Sequence, residues 1–187
     1  MKTHRTPIPG LLLFEPAVYA DERGYFLETW NERRYREAGF EMRFVQDNLS
    51  RSRRGVVRGF HYQLRHPQGK LVQVTHGEVY DVVVDVRVAS PTYGRWFGVT
   101  LSEENHLQLY VPEGFAHAFC VVSEHADFAY KVTRHHAPGD EYGIRWDDPA
   151  IGVEWPLAVA PVLSAKDAAA PLLAEAAERA LLPRWEA

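Results

Sequence analysis

The 187-residue sequence holds a single cysteine, Cys120. One thiol excludes an intramolecular disulfide and a multi-cysteine zinc site, and it fits a reducing compartment. Long apolar runs are missing as well, since nothing approaches the ~18–20 residues needed to span a bilayer. Over residues 1–20, Pro7, Pro9 and Pro16 interrupt the only apolar stretch, so a positive-then-apolar export signal is not formed. Positive charge is not in excess: 21 Lys plus Arg stand against 25 Asp plus Glu, a net charge of −4. Neither nucleic acid nor an anionic membrane is therefore an expected partner. Asn48-Leu49-Ser50 matches a glycosylation acceptor, which has no meaning in a chain that is not exported. The reading is a cytoplasmic globular protein, one domain over residues 1–187. Its core is expected at about 14–164, with a C-terminal helical segment at 165–187.

Signature motifs are also scarce. There is no phosphate-cradling glycine loop, no G-x-G-x-x-G, no G-x-S-x-G elbow and no H-E-x-x-H. Nine histidines invite a metal reading, and Pro112-Glu113-Gly114-Phe115-Ala116-His117 resembles the second metal motif of cupins. That site would also need an H-x-H pair, which occurs nowhere; Arg58-Gly59-Phe60-His61 stands about where it would fall. A lone imidazole holds first-row metals poorly, so no metal is expected.

What is present is a rhythm of turns. Gly24, Gly39, Gly55, Pro67-Gln68-Gly69, His76-Gly77, Ser90-Pro91-Thr92-Tyr93-Gly94, Pro112-Glu113-Gly114 and Pro138-Gly139-Asp140 separate short runs rich in Val, Phe, Tyr and Thr. Such spacing predicts an all-β sandwich, jelly roll or barrel. Val79–Val88 reads as a strand: Tyr80, Val82, Val84, Val86 and Val88 form one apolar face, while Asp81, Asp85 and Arg87 lie on the other. His76-Gly77-Glu78 would fold it back on Leu71–Thr75 as a hairpin. Asn31 to Ala38 predicts a short helix, with Asn31 as N-cap and Gly39 as stop. Lys166 to Leu182 predicts a helical segment opened by Ser164, partly irregular because of Pro171.

Polar residues also cluster inside strand-like apolar segments: Arg58, His61, Lys70, Asp81, Asp85, His117, Tyr130 with Lys131, and Glu141. Lys70 shares a strand face with Val72 and Val74; Tyr130 shares one with Phe128 and Val132. Alternate residues of a small barrel point inward, so several of these groups could converge on one cavity. Each has a plain structural reading too. A strand His or Tyr is more often a hydrogen-bonded core group, Asp81 could be an exposed strand charge, Lys70 could reach solvent, and Asp167 could merely favour a helix first turn. Spacing alone leads to a β-barrel-like domain with a polar interior and no further.

Seven segments in order take the reading further. They are Arg58 to Gln63, Gln68 to Val72, Gly77 to Val82, Ser90 to Gly94, Leu101 to Asn105, Pro112 to His117 and Leu163 to Asp167. Together they resemble the dTDP-4-dehydrorhamnose 3,5-epimerases over about Phe14 to Leu173. The resemblance implies a cupin double-stranded β-helix, or jelly roll, with short peripheral helices and a C-terminal helical segment. It further implies a homodimer that needs no metal or cofactor. The implied substrate is a dTDP-4-keto-6-deoxy sugar, inverted at carbons 3 and 5 to give dTDP-4-dehydro-L-rhamnose. By family pattern His61 is the base, held by Asp167, Tyr130 is the acid on the opposite face, and Lys70 neutralises the enolate oxygen. Asp81 and His117 support the pocket. Arg23, Glu28, Gln46, Asn48, Arg58, Glu141 and Lys166 match nucleotide-sugar-binding positions, with Arg23 and Glu28 reaching the neighbouring subunit's site.

The residue types suit that chemistry. Hydrogens on carbons 3 and 5 flank a ketone, so removing either gives an enolate, and a proton returned to the other face inverts the centre. Histidine is a base near neutral pH. A carboxylate behind it fixes the tautomer, and local cations suit a diphosphate within an acidic protein. The sequence departs from the family at Thr133 to Pro138, where His135 and His136 stand in a stretch that commonly carries two tyrosines. It departs also at Phe60, commonly Leu, and at Ala118, commonly Gly. Alternatives remain open at this stage: an epimerase acting at carbon 3 alone, a 3,4-ketoisomerase, and a non-catalytic sugar-binding cupin.

Overall fold

A computed structural model describes residues 1–185. Two antiparallel sheets face one another. The larger runs in the order β1 (Lys2–Arg5), β2 (Leu12–Glu15), β10 (Gln108–Val111), β7 (Lys70–His76), β12 (His125–Val132) and β5 (Gln46–Arg53). The smaller runs β13 (Glu141–Gly143), β6 (Val57–Gln63), β11 (Phe115–Val121), β8 (Glu78–Asp85) and β9 (Trp96–Ser102). A separate ribbon pairs β3 (Val18–Asp21) with β4 (Gly24–Leu27). This is the expected jelly roll.

Both sheets are covered on both sides, which explains why so many strands read as continuous apolar runs. Between the sheets, Val72, Val74 and Phe128 pack against Val79, Val83, Phe115 and Phe119. Behind the smaller sheet, Phe60, Tyr62, Val82 and Val84 pack under Ile144, Ile151, Leu173 and Ala176. Behind the larger, Leu71 and Tyr110 meet Phe14, Tyr35 and Phe40. On β8 both faces are thus buried, and Asp81 and Asp85 sit at 0% exposure on the inner one.

The expected hairpin of Leu71–Thr75 with the Val79–Val88 run does not form. β7 and β8 follow one another in the chain but belong to different sheets, and Val72 and Val74 meet Val79 and Val83 across the interior. Gly77 turns this corner at φ +76°, where an added Cβ would lie 2.0 Å from the His125 carbonyl oxygen. Its N–H donates to Glu103 Oε1 at 2.9 Å. β8 ends at Asp85, whose carboxylate accepts from the Arg87 N–H and from the Ser90 and Thr92 hydroxyls, so it folds the Ser90–Gly94 loop around itself.

The predicted first helix is α1 (Glu32–Glu37); Asn31 accepts from the Arg34 N–H, and Gly39 follows at φ +80°. The C-terminal segment is two short helices, α2 (Ala165–Ala168) and α3 (Leu173–Glu178), rather than one. Pro171 lies in the break, where it lacks an N–H and its ring opposes the preceding turn. Ser164 Oγ caps α2 by accepting from the Asp167 N–H at 3.1 Å. Among the described residues no helix is long and apolar enough to cross a membrane.

Candidate active site

Alternation along a flat strand would send Arg58 and His61 to opposite faces of β6. They share a cavity because the strand is irregular. His61 lies opposite His117 while Arg58 lies opposite Phe119, so three steps on β6 match two on β11. This β-bulge is centred on Gly59, at φ +115°, where a Cβ would come within 2.4 Å of the His117 carbonyl oxygen.

The bulge feeds a cavity of about 220 Å³ between the sheets. Arg58, His61, His117 and Glu141 enter it from the smaller sheet; Lys70, Tyr130 and Ser50 enter from the larger, and Phe119 and Phe128 form its apolar wall. A second lobe of about 290 Å³ shares Arg58, His61 and Glu141 and extends to Lys166 and Asp167 on α2. The two lobes together offer a polar inner chamber and an open outer one lined by cations.

Helix α2 brings Asp167 to the imidazole of His61: its Oδ1 accepts from His61 Nε2 at 2.5 Å. Burial alone would raise the Asp167 carboxyl, but the His61 bond and charge prevail and hold it below the usual carboxylate range. The imidazole is partly open to the cavity, whereas the carboxylate side chain is 5% exposed. This is the arrangement in which a carboxylate orients an imidazole and stabilises its protonated form.

Across the cavity, burial and the charge of Glu141 raise the Tyr130 phenol above its ordinary value, opposed by Arg58. The phenol therefore keeps its proton near neutral pH. Burial pushes the Lys70 ammonium down, with Glu141 and Asp81 acting against it. Both oxygens of Asp81 accept from His117 Nε2, at 3.0 and 2.8 Å. Glu141 pairs with Lys166 at 2.5 Å, and this contact outweighs burial to lower its carboxyl. Arg58 Nε donates to Ser52 Oγ at 3.0 Å.

Gln46 and Asn48 lie on the inner face of β5, in line with Ser50; Gln46 Nε2 donates to Asn48 Oδ1 at 2.8 Å, and Asn48 stands opposite Tyr130. The structure of one chain does not bring Arg23 or Glu28 to this cavity. Arg23, on the β3–β4 turn, binds Asp21 with its side chain 85% exposed, and Glu28 pairs with Arg34 beside α1. Sequence reasoning missed Ser50 and Ser52, although the period-two polar series Gln46, Asn48, Ser50, Ser52 marks one face of a strand. It also missed Phe119 and Phe128, which look like ordinary core. His136 stands at the rim, its backbone N–H donating to Gln46 Oε1 at 3.2 Å. Cys120 is fully buried, and burial pushes its thiol up to about 11, away from reactivity.

A cupin jelly roll whose interior holds an imidazole–carboxylate pair, a phenol and a buried ammonium is an isomerase scaffold, built to move protons on a bound substrate. The chain belongs to the dTDP-4-dehydrorhamnose 3,5-epimerase family, whose sequence model matches residues 5–175. A dTDP-4-dehydrorhamnose 3,5-epimerase from Pseudomonas aeruginosa is 55% identical over 168 residues, covering 89% of this chain and 93% of the relative. The dTDP-6-deoxy-D-glucose-3,5-epimerase of Legionella pneumophila, solved with dTDP-4-keto-L-rhamnose, superposes with a TM-score of 0.95 at 51% identity. That match covers 100% of this chain and 99% of the other. A 3'-monoepimerase from Streptomyces bikiniensis, solved with dTDP-quinovose, has a TM-score of 0.92 at 36% identity over 97% of this chain and 92% of its own.

Proposed function

We infer that the protein converts dTDP-4-dehydro-6-deoxy-D-glucose to dTDP-4-dehydro-L-rhamnose, inverting carbons 3 and 5 in the biosynthesis of dTDP-L-rhamnose. The observation that carries this reading is the approach of His61 and Tyr130 to one cavity from facing sheets. Identity favours two centres over one: 55% to the 3,5-epimerase against 36% to the monoepimerase.

In the proposed cycle, neutral His61 takes the hydrogen from carbon 3 as a proton, and the C–H electron pair moves to the carbon-4 oxygen as an enolate. Asp167 stabilises the imidazolium. Lys70 faces the enolate oxygen, a contact typically worth ~3–4 kcal/mol of barrier. Tyr130 then delivers its proton to the opposite face of carbon 3, and the enolate collapses to the ketone. The phenolate regains a proton from solvent and the imidazolium loses one, so the balance closes with no redox partner. Repetition at carbon 5 completes the product. Acid–base help of this kind contributes about 10²–10⁴-fold.

Arg58 and Lys166 receive the diphosphate at the outer lobe, and Gln46, Asn48 and Glu141 bind the rest of the nucleotide-sugar; Asp81 and His117 brace the inner lobe. Arg23 and Glu28 serve a second copy. The β3–β4 ribbon that carries Arg23 exposes Tyr19, Tyr25 and Phe26 at 55%, 55% and 64%, and exposed Leu49 lies on β5, the edge of the larger sheet. An apolar ribbon and an open edge strand favour strand addition between two chains, hence a homodimer. The lone buried thiol accords with the cytoplasm. Proton NMR of the substrate with enzyme in deuterated water tests the reading. Deuterium at carbons 3 and 5 with L-rhamno product is expected; exchange at carbon 3 alone would leave the single-centre alternative standing.

A further inference from the structure

Ser52 is a buried hydroxyl that the proton chemistry leaves unused. It stands on the inner face of β5 in the series Gln46, Asn48, Ser50, opposite Ala126 of β12, and is 6% exposed. Ser50 lines the inner chamber, whereas Ser52 lines neither lobe. Among the described residues its side chain has one hydrogen-bond partner, Arg58, whose Nε donates to Ser52 Oγ at 3.0 Å. The chain passes from one sheet to the other at Gly55, φ +81°, so this bond ties the end of β5 to the start of β6 across the corner.

Arg58 is the exposed member of β6, and it lines both lobes. Glu141 lines both with it but is paired with Lys166, and Asp167 is paired with His61, so the guanidinium charge is left for a ligand. Its terminal nitrogens, Nη1 and Nη2, have no hydrogen-bond partner among the described residues. A guanidinium carries its donors on a rigid planar fork, so fixing Nε restricts the plane in which the other two nitrogens lie. Two free donors in one plane match two oxygens of a phosphate. An arginine held in this way has already lost the rotamer freedom that binding would otherwise remove.

We propose that Ser52 is a positioning residue for substrate binding: its hydroxyl holds Arg58 by Nε where the two lobes meet, leaving Nη1 and Nη2 for the diphosphate. It neither touches the substrate nor moves a proton. The proposal rests on the reading that Arg58 receives the diphosphate, and it adds the residue that sets the aim of that arginine. A brace that only stiffened the corner would support the fold and leave nucleotide affinity alone.

The test is Ser52→Ala in the full chain, with calorimetric titration of dTDP and steady-state kinetics on the dTDP-sugar. The dTDP Kd and the KM are both expected to rise about tenfold, near the lower end for loss of a hydrogen bond to a charged group, while kcat stays close to wild type. Ser52→Thr keeps the hydroxyl and is expected to restore both. Arg58→Ala should itself lose dTDP affinity, and adding Ser52→Ala to it should cost nothing more. A lowered melting temperature in Ser52→Ala with unchanged dTDP affinity overturns the proposal, as does an equal further loss in the Arg58→Ala background. Affinity unchanged in Arg58→Ala overturns the diphosphate reading of that residue, and the positioning role with it. If Ser52→Ala fails to fold, ¹⁵N NMR of the ligand-free wild-type protein decides. An Arg58 Nε–H that exchanges slowly with water supports the contact, and one that exchanges as fast as in free arginine overturns it.

Discussion

His61 and Tyr130 rise from facing sheets, one on β6 and the other on β12, and open onto the same cavity. A flat ring lying between them would meet an imidazole on one face and a phenol on the other. Inversion needs this arrangement, and neither a core histidine nor a core tyrosine would need it.

Replacing either group separates the two half-reactions. His61→Ala is expected to abolish deuterium uptake from solvent at carbons 3 and 5, and near-wild-type uptake would remove it as the base. Tyr130→Phe is expected to retain part of the exchange while slowing inversion by about 10²-fold or more. Equal loss of both signals would count against a second-face role for the phenol.

Asp167→Asn removes the charge behind the imidazole and favours the wrong tautomer. A loss of about 10²–10⁴ in kcat is expected, with circular dichroism unchanged. The converse is visible without turnover. His61 holds the Asp167 carboxyl low, so carbon NMR of that carboxyl should show its titration moving upward in His61→Ala.

Asp85 governs a pH effect on stability. Burial alone would raise its carboxyl, but Arg87 and the Ser90 and Thr92 hydroxyls outweigh this and lower it. A depressed native value means that the stabilisation is present above the unfolded value of ~3.9 and disappears as pH falls through the native one. Asp85→Asn breaks a buried pair in which Arg87 also lies over Phe115 and Trp185. A loss of about 3–5 kcal/mol is expected at pH 7. Urea titrations should show the difference from wild type closing only in strong acid; a constant difference across pH would refute the assignment.

If Arg23 serves the neighbouring subunit, two inactive variants can repair each other. Arg23→Ala and His61→Ala, unfolded together and refolded in equal amounts, give about half mixed dimers, each with one intact site of two. About a quarter of wild-type activity should return. No recovery, with mixed dimers verified by native mass spectrometry, would place Arg23 outside the partner's site.

Local alternation was informative in the sequence: it set Lys70 beside Val72 and Tyr130 beside Phe128, and both pairs face inward as expected. Caps were legible too, at Asn31 and at Ser164, because a side-chain acceptor before a helix acts over only three residues. What periodicity does not encode is which sheet a strand joins. The turn at Gly77 therefore looked like a hairpin although it is a corner between layers. Nor could spacing show that Asp167 would bond to His61, 106 positions earlier. That link came from likeness to a family, as did Arg23 and Glu28, whose single-chain positions lie away from the cavity.

The extra residue in β6 makes the site fragile in one specific way. Any side chain at Gly59 would bring a Cβ within 2.4 Å of the His117 carbonyl oxygen, at a φ of +115° that glycine alone adopts readily, so β6 would have to leave its path and carry the guanidinium or the imidazole with it. The chamber thus depends on a residue that has no side chain to offer it.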